Sequence, residues 1–205
     1  LELLIASGNP KKLVEIELYL REVGVRVLSP ADVGGLPEVE EDGLTFAANA
    51  EKKAVSAATV SGRWALADDS GLEVDHLGGA PGVHSARFAG AHGDDEANNL
   101  RLLKELEEVE DGERGAHFTC ALALARPDGW VAARFEGEAR GRILRERRGA
   151  RDFGYDPYFL FTEEGYPQTG RGFAELDPEE KSAVSHRGRA LAALREYLMT
   201  AVQEA

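Results

Sequence analysis

The opening of the chain places strong limits on the fold. Glu2 to Ser7 (ELLIAS) is a short apolar run that reads as a buried strand, and it breaks at Gly8-Asn9-Pro10. A helical pattern starts at once: Leu13, Ile16, Leu20 and Val23 recur at the spacing of one amphipathic helix face. Pro10 suits the first helical turn, where its missing N–H is not needed. Val25 to Leu28 reads as a second strand, so the chain starts β-α-β, the unit of a parallel sheet. Further on, Arg126-Pro127-Asp128-Gly129 separates two apolar runs, His117 to Ala125 and Trp130 to Gly137, as a hairpin turn does. A parallel start and a later hairpin together predict a mixed sheet in an α/β protein.

The remaining elements follow from local chemistry. Thr45 is placed to cap a helix from about Phe46 to Val60, rich in Ala. Trp64 to Ala67 reads as a strand ending in Asp68-Asp69-Ser70-Gly71, and Gly78 to Gly90 as an irregular loop. Asp94 or Asp95 starts a helix whose apolar face is read as Leu100, Leu103 and Leu106. Asp177-Pro178-Glu179-Glu180 combines an Asp cap, Pro at the first position and Glu three residues after the cap. The last helix is interrupted near Ser185 to Gly188 and continues through Leu191, Leu194 and Leu198. No repeat or linker interrupts the 205 residues, so one domain over 1–205 is expected.

Charge and cysteine content narrow the function. With 24 basic and 37 acidic residues the formal net charge is −13, which repels nucleic acid and anionic membrane. The most basic stretch, Arg140 to Arg151, is interrupted by Gly141, Ile143, Leu144, Glu146 and Gly149. No nucleic-acid partner is expected. Cys120 is the single cysteine and sits in an apolar run, so it reads as a small core residue, and an intrachain disulfide is impossible. No segment has the roughly 18 consecutive apolar residues of a membrane span, and none reads as a secretory signal. A soluble cytoplasmic protein is expected. The start at Leu1 suggests an absent initiator Met.

Four clusters carry candidate chemistry. Ser7, Gly8, Asn9, Pro10, Lys11 and Lys12 form a strand-to-helix turn with free backbone N–H groups and two lysines, suited to phosphate; taken alone, a plain turn with solvated lysines is the simpler reading. Asp68 and Asp69 are adjacent carboxylates at a strand end, where Mg²⁺ is a natural counter-charge and a polar turn the plainer alternative. Strand neighbours point to opposite faces, so one carboxylate can bind metal while the other orients or deprotonates a water. Glu38, Glu40, Glu41 and Asp42 form an acidic loop that could supply a further metal ligand if it folds back onto that pair. Phe153, Gly154, Tyr155 and Asp156 offer two aromatics about a glycine, able to sandwich a planar ring or to be core. The second part of this fourth cluster is Lys181, His186 and Arg187, three possible anion donors. Together these are the parts of a nucleoside triphosphate site.

The sequence resembles the inosine/xanthosine triphosphate pyrophosphatase family (the Ham1-like or RdgB-like proteins). The matching stretches are SGNPKKLVEI at 7–16, EEDGLTFAANAEKKA at 40–54, ALADDSGLEVDHLGGAPGVHSARFAG at 65–90, FGYDPYF at 153–159 and EEKSAVSHRGRAL at 179–191. Ala48 stands where such proteins often carry Glu. The resemblance implies an elongated mixed sheet flanked by helices, with two lobes around a central nucleotide cleft, and a homodimer. It implies Mg²⁺-dependent hydrolysis of ITP, dITP and XTP to monophosphate and pyrophosphate, removing deaminated purines from the nucleotide pool. It assigns Asp69 as proton acceptor and Glu40 and Asp69 to the metal. Ser7 to Lys12, Ser70, Phe153 to Asp156, Lys181, His186 and Arg187 would bind substrate. Whether Asp69 acts as base or mainly holds the metal is open at this level. A Maf-like pyrophosphatase usually begins with a Ser-x-Arg-Arg type motif, whereas this chain has Asn9-Pro10-Lys11-Lys12. A non-catalytic nucleotide-binding regulator would not need the Asp68-Asp69 pair, and a phosphosugar hydrolase would not need the aromatic slot.

Overall fold

The structure is a computed structural model and describes residues 2–21 and 23–203. Its elements are β1 (Glu2–Ile5), α1 (Pro10–Arg21), β2 (Arg26–Leu28), α2 (Phe46–Ser61), β3 (Ala65–Val74), α3 (Asp95–Glu105), β4 (Gly115–Ala125), β5 (Val131–Ile143), β6 (Phe159–Phe161), α4 (Pro178–Val184) and α5 (His186–Gln203). The strands form a six-stranded sheet in the order β2-β1-β3-β4-β5-β6. β1 pairs in parallel with both β2 and β3, while β6 runs antiparallel to β5. The mixed α/β sheet expected from the sequence is therefore present. Among the described residues no helix is long and apolar enough to cross a membrane.

The chain divides into two compact units. The first comprises Leu1–Asp69, Cys120–Gly137 and Arg189–Ala205. Its core joins Leu3, Ile5 and Leu66 with Ile16 and Leu20 of α1, Cys120, Leu122 and Leu124 of β4, and Leu191, Leu194 and Leu198 of α5. Cys120 is thus a core residue. The second comprises Ser70–Thr119 and Glu138–Gly188, with a core of Leu72, Val74, Leu102, Leu106, Phe118, Phe159, Phe161 and Phe173. The boundary cuts β3, β4 and β5, each of which supplies residues to both units.

Capping chemistry explains most helix starts. Thr45 accepts the Ala48 N–H at 3.1 Å, Asp94 the Ala97 N–H at 3.0 Å and Asp177 the Glu180 N–H at 2.8 Å. Glu180 returns the bond to the Asp177 N–H at 2.9 Å, completing a capping box. The hairpin turn closes through Gly129, whose N–H donates to Arg126 at 2.8 Å.

Two expectations need correction. β3 does not end at Ala67; it runs on through Asp68-Asp69-Ser70-Gly71 to Val74. A strand carries these carboxylates inside because lysines from other elements meet them there, as described below. The inward face of α3 is also different. Leu100 is 61% exposed, whereas Asn98, Asn99, Leu102 and Leu106 are buried. Three leucines at helical spacing outvote two asparagines in a hydrophobicity pattern. Asn98 is inside with both ends of its amide bonded to loop backbone, and Asn99 with its NH₂ donating to Gly154 O.

Candidate active site

In the first unit the turn after β1 is organised by Asn9. Its Oδ1 accepts the N–H groups of Lys11 at 3.0 Å and Lys12 at 3.4 Å, and its own N–H donates to Ser7 Oγ at 3.2 Å. Pro10 is the first residue of α1, and Gly8, Pro10 and Lys11 are exposed. Lys12 turns inward instead, with Nζ 2.8 Å from Asp68 Oδ2. The Asp68 side chain is 1% exposed and that of Lys12 18%, so this is a buried ion pair, not a surface one.

Asp69 faces a different set of groups, as strand alternation requires. Lys53 Nζ lies 3.2 Å from its Oδ1 and Asn49 Nδ2 donates to its Oδ2 at 3.1 Å. Asn49 and Lys53 are one helical turn apart on α2, so a single helix face grips the carboxylate. Lys53 also reaches Glu41 Oε1 at 3.0 Å, which draws the acidic loop onto the pair. Asn49 is itself fixed, because its Oδ1 accepts the Gly43 N–H at 2.8 Å. A Cβ at Gly43 would lie 2.5 Å from that oxygen, so only glycine permits the approach.

The electrostatics follow from burial. Desolvation holds the Asp69 carboxyl above the usual aspartate value, with Lys53 pulling it down and Glu41 pushing it up. Lys53 is opposed by its own burial, yet the charges of Asp69, Asp68 and Glu41 raise it above an ordinary lysine. Asp69 is thus a carboxylate whose proton affinity is raised and whose position is fixed from two sides.

The second unit holds the other cluster. Arg187 Nη2 donates to Ser70 Oγ at 3.1 Å, and its guanidinium carbon lies 5.8 Å from the Phe153 ring centroid. Lys181 Nζ sits 4.9 Å from the same ring and pairs with the buried Asp156 carboxylate. Phe153 is half-buried and so carries two cations close to its ring. His186 is buried and stacked on Phe118 at 4.7 Å and 11°. Gly188 is the close-approach point between α4 and α5, since a Cβ there would meet Ser182 O at 1.7 Å.

Tyr155 does not share a slot with Phe153. Its ring is in the core and its hydroxyl donates to Ser85 O at 2.8 Å, so the two-aromatic sandwich reduces to the Phe153 face. Glu40 is exposed, and Glu41 is the acidic-loop residue that shares Lys53 with Asp69. Asn49 and Lys53, which the sequence does not single out, are the groups on α2 that hold Asp69. The available signal was two polar residues four apart on an otherwise Ala-rich helix face.

Fold and site together define an α/β protein whose first unit buries two carboxylates against two lysines and whose second sets an aromatic ring under two cations. The model of the Ham1 family matches residues 3–197, and the chain belongs to that family. It is 48% identical to a dITP/XTP pyrophosphatase of Rhodopirellula baltica over 98% of this chain and 95% of that protein. It is 51% identical to the dITP/XTP pyrophosphatase of Desulforamulus reducens over 97% and 96%. Among solved structures, a HAM1 protein from Coxiella burnetii aligns with a TM-score of 0.86 at 40% identity, covering 100% of both chains. A nucleoside-triphosphatase / dITP/XTP pyrophosphatase from Mycobacterium abscessus aligns with a TM-score of 0.76 at 48% identity, covering 95% of this chain and 98% of that one.

Proposed function

We propose that this chain hydrolyses the triphosphates of deaminated purines, ITP, dITP and XTP, to the nucleoside monophosphate and pyrophosphate. The observation that carries the reading is the buried Asp68-Asp69 pair with a separate lysine on each carboxylate. Relatives along nearly the whole chain bear the name dITP/XTP pyrophosphatase, which agrees with it.

Triphosphate hydrolysis sets water against a phosphorus ringed by negative oxygens, so cations must neutralise charge as the bond between the α- and β-phosphates breaks. The turn from Ser7 to Lys12 supplies lysine charge for the phosphates, while the N–H groups of Asn9, Lys11 and Lys12 are taken by the Ser7 and Asn9 side chains. Asp69 takes the proton of the attacking water as its oxygen bonds to phosphorus, and the electron pair of the broken bond leaves on pyrophosphate. Burial raises its proton affinity in the metal-free chain and a bound cation would lower it again, so the fixed position of the carboxylate carries the role. Asp69 and Glu41 share the ammonium of Lys53, and the surplus negative charge with hard oxygen donors suits a divalent cation. Asp69 and Glu40 would hold Mg²⁺, with Glu41 next to Glu40 on the same loop and paired with Lys53. When bound, the ion supplies charge neutralisation on the phosphates and acidifies water.

Base selection falls to the second unit. The 6-oxo group of a deaminated purine accepts hydrogen bonds, and Lys181 and Arg187 donate them. A 6-amino group offers donors instead and leaves such partners unpaired, which rejects ATP. Under the same reading the 205 residues act as one domain, in a cytoplasmic homodimer.

Product release from ITP, XTP, GTP and ATP with Mg²⁺, following pyrophosphate and orthophosphate separately, tests the reading. Pyrophosphate from ITP and XTP with little from the others is the expected result. Orthophosphate in its place would mean a different bond is cut, and tight ITP binding without turnover would favour a regulator.

Gly8 gives an independent check on the phosphate turn. A Cβ there meets no atom within 4 Å, so the fold does not require glycine at this position. Gly8→Ala should leave the Tm unchanged or slightly higher. The added methyl should raise KM for ITP by obstructing approach to the turn. An unchanged KM would move the phosphates elsewhere.

A further inference from the structure

α3 is built to hold the turn that carries Phe153. Gly154 adopts φ 52, and a Cβ there would touch nothing within 4 Å, so its glycine serves backbone conformation and not packing. Glycine visits both signs of φ readily, so a turn centred on it needs something else to fix it. Asp95 Oδ2 accepts the Gly154 N–H at 2.9 Å, and Asn99 Nδ2 donates to Gly154 O at 2.9 Å. The first group belongs to the peptide plane before Gly154 and the second to the plane after it. Both dihedrals of the one freely rotating residue are therefore set from a single helix face, since Asp95 and Asn99 are one turn apart on α3.

The two sides of the turn do different things. Tyr155 is anchored in the core through Ser85 O, while Phe153 stays half-buried near Lys181 and Arg187. The same helix also ties down the preceding loop, with Asn98 accepting the Ala89 N–H at 2.7 Å and donating to Ala86 O at 3.3 Å. The Asn99 amide orientation follows from Gly154 O, because only the NH₂ end can face a carbonyl. Among the described residues its buried Oδ1 has no hydrogen-bond partner, so burying Asn99 is unfavourable for the helix taken alone. A side chain kept inside under that penalty is held for its other end.

We infer that Asp95 and Asn99 are positioning residues for purine recognition, clamping both peptide planes of Gly154 so that the Phe153 ring is held ready for the base. This deepens the proposed function and rests on it. Neither residue touches the substrate, and both act through the turn.

The test compares Asn99→Ala, Phe153→Ala and the double variant in ITP turnover, with inhibition by inorganic tripolyphosphate as a probe that lacks a base. Asn99→Ala should raise KM for ITP by about three- to tenfold, the range of one hydrogen bond, with kcat within about twofold. Tripolyphosphate inhibition should be unchanged. In the Phe153→Ala background the same substitution should add no further effect, because the ring it positions is gone. Asp95→Ala, at an exposed site, should reproduce the KM effect, and Asp95→Asn, which keeps an acceptor, should restore it; this pair serves if Asn99→Ala does not fold. Additive effects with Phe153→Ala, or a parallel loss of tripolyphosphate inhibition, would overturn the inference and leave a purely structural role. Wild type active with both clamp variants unaffected sinks the inference alone, whereas wild type inactive on ITP sinks the proposed function and this inference with it.

Discussion

Asp69→Asn is expected to abolish turnover of ITP while leaving the fold in place. The amide keeps the shape and an acceptor for Asn49 but cannot take a proton, so a loss of about 10²–10⁴-fold in kcat is expected for a general base. Stability should move the other way. Burial raises the Asp69 carboxyl above its ordinary 3.8, so the folded chain binds this proton more tightly than the unfolded chain does. That contribution is fully present below the unfolded value and is lost as pH rises through the folded one. Asn has no such proton to lose. The Tm of the variant relative to wild type, in metal-free protein, should therefore grow as pH climbs from about 4. Lys53→Met should push Asp69 further up, because Lys53 is the neighbour that lowers it most. Near wild-type turnover in Asp69→Asn would remove the residue from catalysis. A Tm difference independent of pH would contradict the raised proton affinity.

Lys12→Ala is expected to damage both stability and substrate binding, through separable causes. Its ammonium is 2.8 Å from a carboxylate whose side chain is 1% exposed. Removing one partner of a buried pair leaves the other charge less well compensated, a loss of up to about 3–5 kcal/mol. In a chain of this size that is a Tm fall on the order of 10 °C. Lys12→Met combined with Asp68→Leu removes both charges and should recover much of the Tm. It should not recover activity, because the triphosphate still lacks the lysine. Thermal unfolding and ITP kinetics on the three proteins separate the effects. Full recovery of activity in the double variant would show that Lys12 serves Asp68 only and not the phosphates.

The lysine pairs also explain why β3 runs past the point where its sequence reads as a strand end. From the sequence, Asp68-Asp69-Ser70-Gly71 breaks an apolar run and looks like a strand end. In the structure Lys12 of α1 and Lys53 of α2 reach the two carboxylates on their separate faces, so the strand continues to Val74. Local propensity opposes strand at Asp and Gly, and tertiary pairing overrides it. The same holds for α3, where loop backbone groups bring Asn98 and Asn99 inside and Leu100 is left outside. In each case the deciding partner lies far away in the chain, where no periodicity can register it.

The sequence by itself determined those features whose causes are local or compositional. Helix starts at Pro10, Thr45, Asp94 and Asp177, the hairpin at Arg126 to Gly129 and the apolar setting of Cys120 each depend on a few adjacent residues, and all are present in the structure. The family was legible for a related reason: long motifs in a fixed order stand in for the contacts they evolved to make. Tertiary structure alone decided which charge meets which. It chose Lys53 and Asn49 as the partners of Asp69, drew in Glu41 and not Glu40, and sent Tyr155 to the core while Phe153 kept an accessible face. Neighbouring residues of one type are interchangeable in composition, but their side chains point in different directions. A group is functional only where a distant group completes its hydrogen bonds and balances its charge.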